Sequence, residues 1–203
     1  MIALGVLQSL KNKLITIDES EQLLFRPGIT INLKKKKCNR RVVRLLECCC
    51  EIEDIESLLP DIYETELNGF IEKTRKNLKK YYINIDYNDM HILEKIINSE
   101  FDIIEPDQIK QKCILIHLIG ILNGIKFGLL TVEEYTQYLC YYKNIDTVKK
   151  EKYDNAINNL LEESNELSNI YKMESKELFI SKVEDLIIKV NKEVKQYPTF
   201  IIY

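Results

Sequence analysis

The chain has 203 residues, with 29 Lys and Arg against 32 Asp and Glu, a net charge of −3, and 45% hydrophobic residues but only six Gly and four Pro. That balance excludes long disorder and argues for a mostly helical chain with a substantial core. The longest apolar run, Cys113–Leu122, is ten residues long and contains His117, about half of what a bilayer crossing needs.

The opening MIALGVLQSLKNK lacks the basic leader and small-residue cleavage site of a secretory signal, so a cytoplasmic protein with no membrane segment is expected. Its six cysteines, three of them consecutive, form no framework of spaced pairs and read as free thiols in a reducing compartment.

In chain order, a first helix carries Gly5. Thr16 and Glu19 then have capping-box spacing, which predicts a short helix starting at the threonine. The stretch PGITINLKKKK, residues 27 to 37, reads as irregular. From about 40 to 58 the apolar residues Val42, Leu45, Leu46, Cys49, Ile52, Ile55 and Leu59 recur with helical period, opposite a ridge of Glu47, Glu51 and Asp54. A further helix is expected over 61–80. Pro106 suits the first turn of a helix running to Phe127, and Gly128 suits its C-terminus. Thr131 and Glu134 repeat the capping-box spacing and predict another short helix. Two more helices follow, near 151–171 and 176–195.

The second set of elements repeats the first. At an offset of 115, residues 5–25 and 120–140 share eight identities in 21 positions, including Gly5/Gly120, Lys11/Lys126, Thr16/Thr131 and Glu19/Glu134, where chance gives roughly one or two. The offset continues through Leu45/Leu160, Glu47/Glu162, Glu51/Glu166 and Ile55/Ile170. One added residue then brings Ile71 onto Ile187 and Lys76 onto Lys192. The expected fold is therefore all-α: two tandem copies of a helical unit, residues 1–88 and 112–203, joined by 89–111. As fused protomers of an ancestral homodimer, they would be related by a pseudo-twofold and form one bundle-like protein.

The opening GVLQSLKNKLITIDESEQLLF at residues 5–25, followed by CEIEDIESLLPD at 50–61, resembles a family of small uncharacterised bacterial proteins carrying an ELEDxESLIP-type motif. The likeness lies in the first copy. In the second, Ser168 and Asn169 replace the acids and no proline follows. It implies no established activity.

Several clusters invite a site. His117 sits in an apolar run and reads as a core histidine; His91 reads as a surface residue. Cys48, Cys49 and Cys50 diverge by about 100° per residue on a helix and cannot converge on one ion. Glu47, Glu51, Glu162 and Glu166 could form a carboxylate metal site if their helices faced one another, but the ExxH histidines of such sites are missing. A solvated ridge is the simpler reading. The basic cluster Lys34–Lys37, Arg40, Arg41 and Arg44 suggests nucleic acid, yet residues 1–88 hold fifteen basic residues against thirteen acidic ones, a weak excess for such a module.

Tyr135, Tyr138 and Tyr142 share a helix face and have the chemistry of a protein-binding surface. Glu56 falls on the apolar stripe where the second copy has Tyr171, which marks it as an interface candidate. No nucleophile, phosphate-loop or zinc-protease motif is present.

The expectation is thus a non-catalytic helical binding protein without cofactor or metal. Its concrete form is the immunity protein of a bacterial toxin pair, receiving a basic toxin domain. Its contacts would be Glu47, Glu51, Asp54, Glu56, Asp102, Glu105, Tyr138 and Tyr142. The alternatives are a nucleic-acid-binding regulator using the basic cluster, which the charge balance disfavours, and an enzyme with metal on the carboxylate ridge.

Overall fold

The computed structural model describes residues 1–80, 106–149, 153–173 and 175–199, with backbone alone at 106–107, 141–149 and 172–173. Among the described residues there are ten helices and no strand: α1 (Ile2–Lys11), α2 (Ile17–Leu23), α3 (Pro27–Lys35), α4 (Arg40–Cys49), α5 (Ile52–Leu58), α6 (Pro60–Lys80), α7 (Pro106–Lys126), α8 (Val132–Lys149), α9 (Asn155–Met173) and α10 (Lys176–Val194). The protein is all-α and internally duplicated. Helix α7 is continuous across residues 111 and 112, so the joining segment and the second unit share it.

Both capping boxes form. Glu19 N donates to Thr16 Oγ1 at 3.1 Å while Thr16 N donates back to Glu19 Oε2 at 2.8 Å. The Thr131 and Glu134 pair repeats this at 3.2 and 2.7 Å. Each box satisfies two orphan backbone donors of its helix. The turn before each box is shared too. Gly128 has φ +62 and its counterpart Lys13 has φ +53, a left-handed conformation that is free for glycine and costs a side-chain-bearing residue about 1 kcal/mol.

The irregular segment expected over 27–37 is instead helix α3. Pro27 occupies its first turn, where the missing N–H forfeits no bond, and Arg26 is extended at φ −110, ψ 144, as the residue before a proline must be. In the second copy Tyr142 stands at the position of Pro27. With no break there, the short helix expected after Thr131 runs on to Lys149 as α8. The expected stripe over 40–59 is also adjusted: Leu46, Cys49 and Ile52 are buried, but Val43 replaces Val42 on the inner face, and Leu59 points outward.

Helices α1 and α7 form the centre. Their mutual contact is the most extensive among the described helices, with α6 also packed on α1 and α10 against α7. One apolar cluster joins Leu4, Leu7, Phe25, Leu46 and Phe70 of the first unit to Ile116 and Leu129 of the second. Another joins Leu118, Leu122, Tyr135 and Val183 of the second unit to Leu14 of the first. Each unit therefore completes the other's core.

The crossing of α1 and α7 depends on two glycines. A β-carbon on Gly5 would overlap the carbonyl oxygen of Ile116 and lie 3.2 Å from Gly120 N. One on Gly120 would overlap the carbonyl oxygen of Met1 and lie 2.9 Å from Gly5 N. At the offset of 115, Met1 is equivalent to Ile116 and Gly5 to Gly120, so the contact is reciprocal, as a self-complementary interface requires.

A buried ion pair also ties the units together. Lys112 and Glu19 are 2% and 1% exposed, with Nζ donating to Glu19 Oε1 at 2.5 Å and to the Pro198 carbonyl at 3.1 Å. Two charges can be kept out of water here because each meets a partner and further hydrogen bonds.

Candidate protein-binding surface

Residues 45–72, which run from the middle of α4 through α5 into α6, contain nine acids (Glu47, Glu51, Glu53, Asp54, Glu56, Asp61, Glu64, Glu66, Glu72) and no Lys, Arg or His. Pro60 starts α6 directly after Leu59, whose non-helical backbone at φ −136, ψ 54 ends α5. At that corner the apolar stripe loses its cover: Leu58 is 74% exposed, Leu59 54% and Ile62 43%. Three large apolar side chains thus stand in water on a stretch of chain whose charged residues are all acidic, an arrangement that favours association more than monomer stability.

The acids crowd one another. The carboxyl of Glu21 on α2 is held above the ordinary carboxylate range by partial burial, then by Glu53, with which it shares a hydrogen bond, and by Asp18 and Asp54. Between α2 and α6 runs a groove of about 550 Å³ whose lining includes Asp18, Glu56, Tyr63 and Glu64 and, on its other side, Lys11 and Lys13. Burial, followed by Glu56 and Glu64, raises the Tyr63 phenol, so its hydroxyl stays protonated and able to donate. Of the expected contacts, Glu51, Asp54 and Glu56 are exposed on this corner, and Glu47 is partly exposed and paired with Lys34.

The remaining expected contacts do not gather there. Tyr138 is a correction: it is 5% exposed and meets His117 edge to face at 5.8 Å, so with the buried Tyr135 it serves the core. The side chain of Tyr142 lies outside the described residues, as do Asp102, Glu105 and His91. Conversely, Glu53, Leu58, Leu59 and Ile62 join the surface without having been singled out for it. The sequence signal for them is the proline that ends the stripe while its leucines continue.

The other clusters are placed as follows. His117 is buried, and burial first, then the N-terminal ammonium, lowers it to about 3, which keeps it neutral. Burial pushes the Cys49 thiol up to about 12 and Cys50 to about 11, so neither is a nucleophile at neutral pH. Helix α4 packs on α3 and α6, while α9 packs on α8 and α10. Among the described residues no group of three His, Cys, Asp or Glu is arranged to hold a metal ion. No helix of the described residues is long and apolar enough to cross a membrane. Within the basic cluster, Lys34 is tied to Glu47, so its field is offset by the ridge beside it.

Comparison with curated proteins and with solved structures finds no match to this chain. A family match covers residues 1–94 and again residues 105–200, so both copies carry the same family signature, and the chain belongs to the family described as "Protein of unknown function (DUF3969)".

Proposed function

We propose that this chain is a non-catalytic binding protein whose acidic corner on α5 and α6 receives a basic protein, as an immunity protein does when it neutralises a toxin. One observation carries the reading: Leu58, Leu59 and Ile62 stand exposed inside a stretch of nine acids without a single cation. An apolar centre with a charged rim is the anatomy of a protein interface, in which the centre supplies affinity and the rim steers encounter. Cations of a partner would also relieve the repulsion that Glu21, Glu53 and Asp54 exert on one another. His117, buried and neutral, and the Cys49 and Cys50 thiols, raised by burial, suit a binding rather than a catalytic role.

The test begins with partner capture from native cells using the whole chain as bait, followed by titration of the recovered protein at low and high salt. Leu58→Asp is expected to weaken binding about 30-fold, a loss typical of a central contact. The pair Glu53→Lys and Asp54→Lys is expected to slow association and flatten its salt dependence. Unchanged affinity in both variants, or a recovered partner with an acidic contact face, would overturn the reading.

A further inference from the structure

We propose that a half-open cavity of about 350 Å³ between α1, α6, α7 and α10, where the two copies meet, binds a small phosphate monoester.

The placement follows from its walls. Gln8 and Asn123, and Lys11 and Lys126, are equivalent at the offset of 115; Arg75 and Asn191 are equivalent at 116. A cavity lined by corresponding residues of both copies lies where the copies meet, next to the glycine crossing of α1 and α7. In a homodimer such a cavity has two identical walls. Here they have diverged: the first copy presents a guanidinium and the second a carboxamide.

The chemistry of the walls points to an anion with hydroxyl groups. Lys11, Lys126 and Arg75 approach from three different helices, and Glu72 is the one acid of the lining among the described residues. The Arg75 guanidinium is held in place by its ion pair with Glu72 and lies 3.7 Å from the ring centroid of Phe127. Lys126 is anchored by Glu184 at 2.9 Å, whereas among the described residues Lys11 Nζ donates to a neutral oxygen, Asn68 Oδ1, at 2.7 Å.

Three cations lining one cavity from three helices, two of them shared with Glu72 and Glu184, suit a tetrahedral dianion better than a planar carboxylate, which a single arginine fork would match. Carboxamides stand beside Ile71, Phe127 and Ile187: Gln8 and Asn123 are buried, and Asn191 Oδ1 and Arg75 Nε are buried atoms without a hydrogen-bond partner among the described residues. Buried polar groups left unpaired cost stability, and at a cavity wall a polar ligand can offset that cost. The volume is at the low end of the small-molecule range, which suits a phosphorylated sugar of a few carbons.

Calorimetric titration of the whole chain with ribose 5-phosphate and with inorganic phosphate tests the proposal. Saturable binding of ribose 5-phosphate, competed by inorganic phosphate, is expected. Lys11→Gln and Lys126→Gln are each expected to raise its Kd about tenfold, the loss of one charge-assisted contact. Lys182→Gln, an exposed position on α10 outside the cavity, is expected to change nothing. Asn191→Leu is expected to lower the preference for the sugar phosphate over inorganic phosphate. Circular dichroism establishes that each variant is folded.

The proposal is overturned by the absence of saturable binding with either probe up to about 10 mM. It is equally overturned by binding of inorganic phosphate alone, or by an affinity that the two lysine variants leave unchanged. The α5–α6 corner is tested separately by Leu58→Asp and by the Glu53→Lys and Asp54→Lys pair, none of which lines this cavity, although Lys11 and Asn68 also line the groove beside that corner.

Discussion

Lys112→Met is expected to destabilise the protein by about 3–5 kcal/mol, among the largest costs of any single substitution outside the apolar core. The methionine fills a similar volume but leaves the Glu19 carboxylate 1% exposed with its cation gone. Glu19→Gln has the converse effect on the ammonium of Lys112, although the glutamine oxygen can still accept from Thr16 N and preserve the cap. The double variant Lys112→Met, Glu19→Gln removes both charges and is expected to cost less than either single change, because most of each single cost is an unpaired buried charge.

The surface pair Lys189–Glu163, 2.6 Å long but about half exposed on each side, is the contrast: breaking it is expected to cost no more than about 1 kcal/mol. Urea unfolding of the five proteins measures all of this. A cost below about 1 kcal/mol for Lys112→Met would show that the pair is hydrated rather than buried.

At the centre of the fold, Gly5→Ala and Gly120→Ala are each expected to cost about 3 kcal/mol, at the upper end of overpacking effects. The atoms in the way are backbone carbonyl oxygens of the opposite helix, which cannot rotate aside as a side chain can. The two helices must part instead, and they carry both apolar clusters with them. Once parted for one methyl, they have already made room for the other, so the double variant is expected to fall short of additivity by roughly 1–2 kcal/mol. Gly69 in α6 is an internal control, since a β-carbon there meets nothing within 4 Å. Gly69→Ala is expected to stabilise by about 0.5–1 kcal/mol through helix propensity. Thermal or urea unfolding of the four variants decides the matter, and additive costs at Gly5 and Gly120 would mean that the two sites are not one contact.

Local chemistry announces itself in this sequence, and long-range chemistry does not. The capping boxes at Thr16 and Thr131 are visible because all their partners lie within three residues. The duplication is visible because eight matches fall in one short window. Helix α3 is hidden by β-branched Ile29, Thr30 and Ile31 and by the lysine run, although Pro27 marks its start.

The role of Glu19 is only half visible. Its capping spacing can be read locally, but its ion partner is 93 residues away. Gly5 and Gly120 match in sequence, yet nothing in that match says that they touch. Tyr138 illustrates the limit of periodicity, which groups tyrosines on one face without saying whether that face meets water or core. For the candidate surface, the acids are read from composition, while the exposure of Leu58 and Leu59 depends on where α6 leaves α5.

The origin proposed here, two fused protomers sharing one core, is tested most directly by cutting the chain within its joining segment and co-expressing residues 1–100 and 101–203 as separate polypeptides. Ultracentrifugation of the purified material gives the mass and the stoichiometry. The predicted result is a one-to-one complex with the helical content of the intact chain, because Ile116 and Leu129 complete the first cluster and Leu14 the second. Two pieces that each fold as stable monomers and do not associate would contradict it.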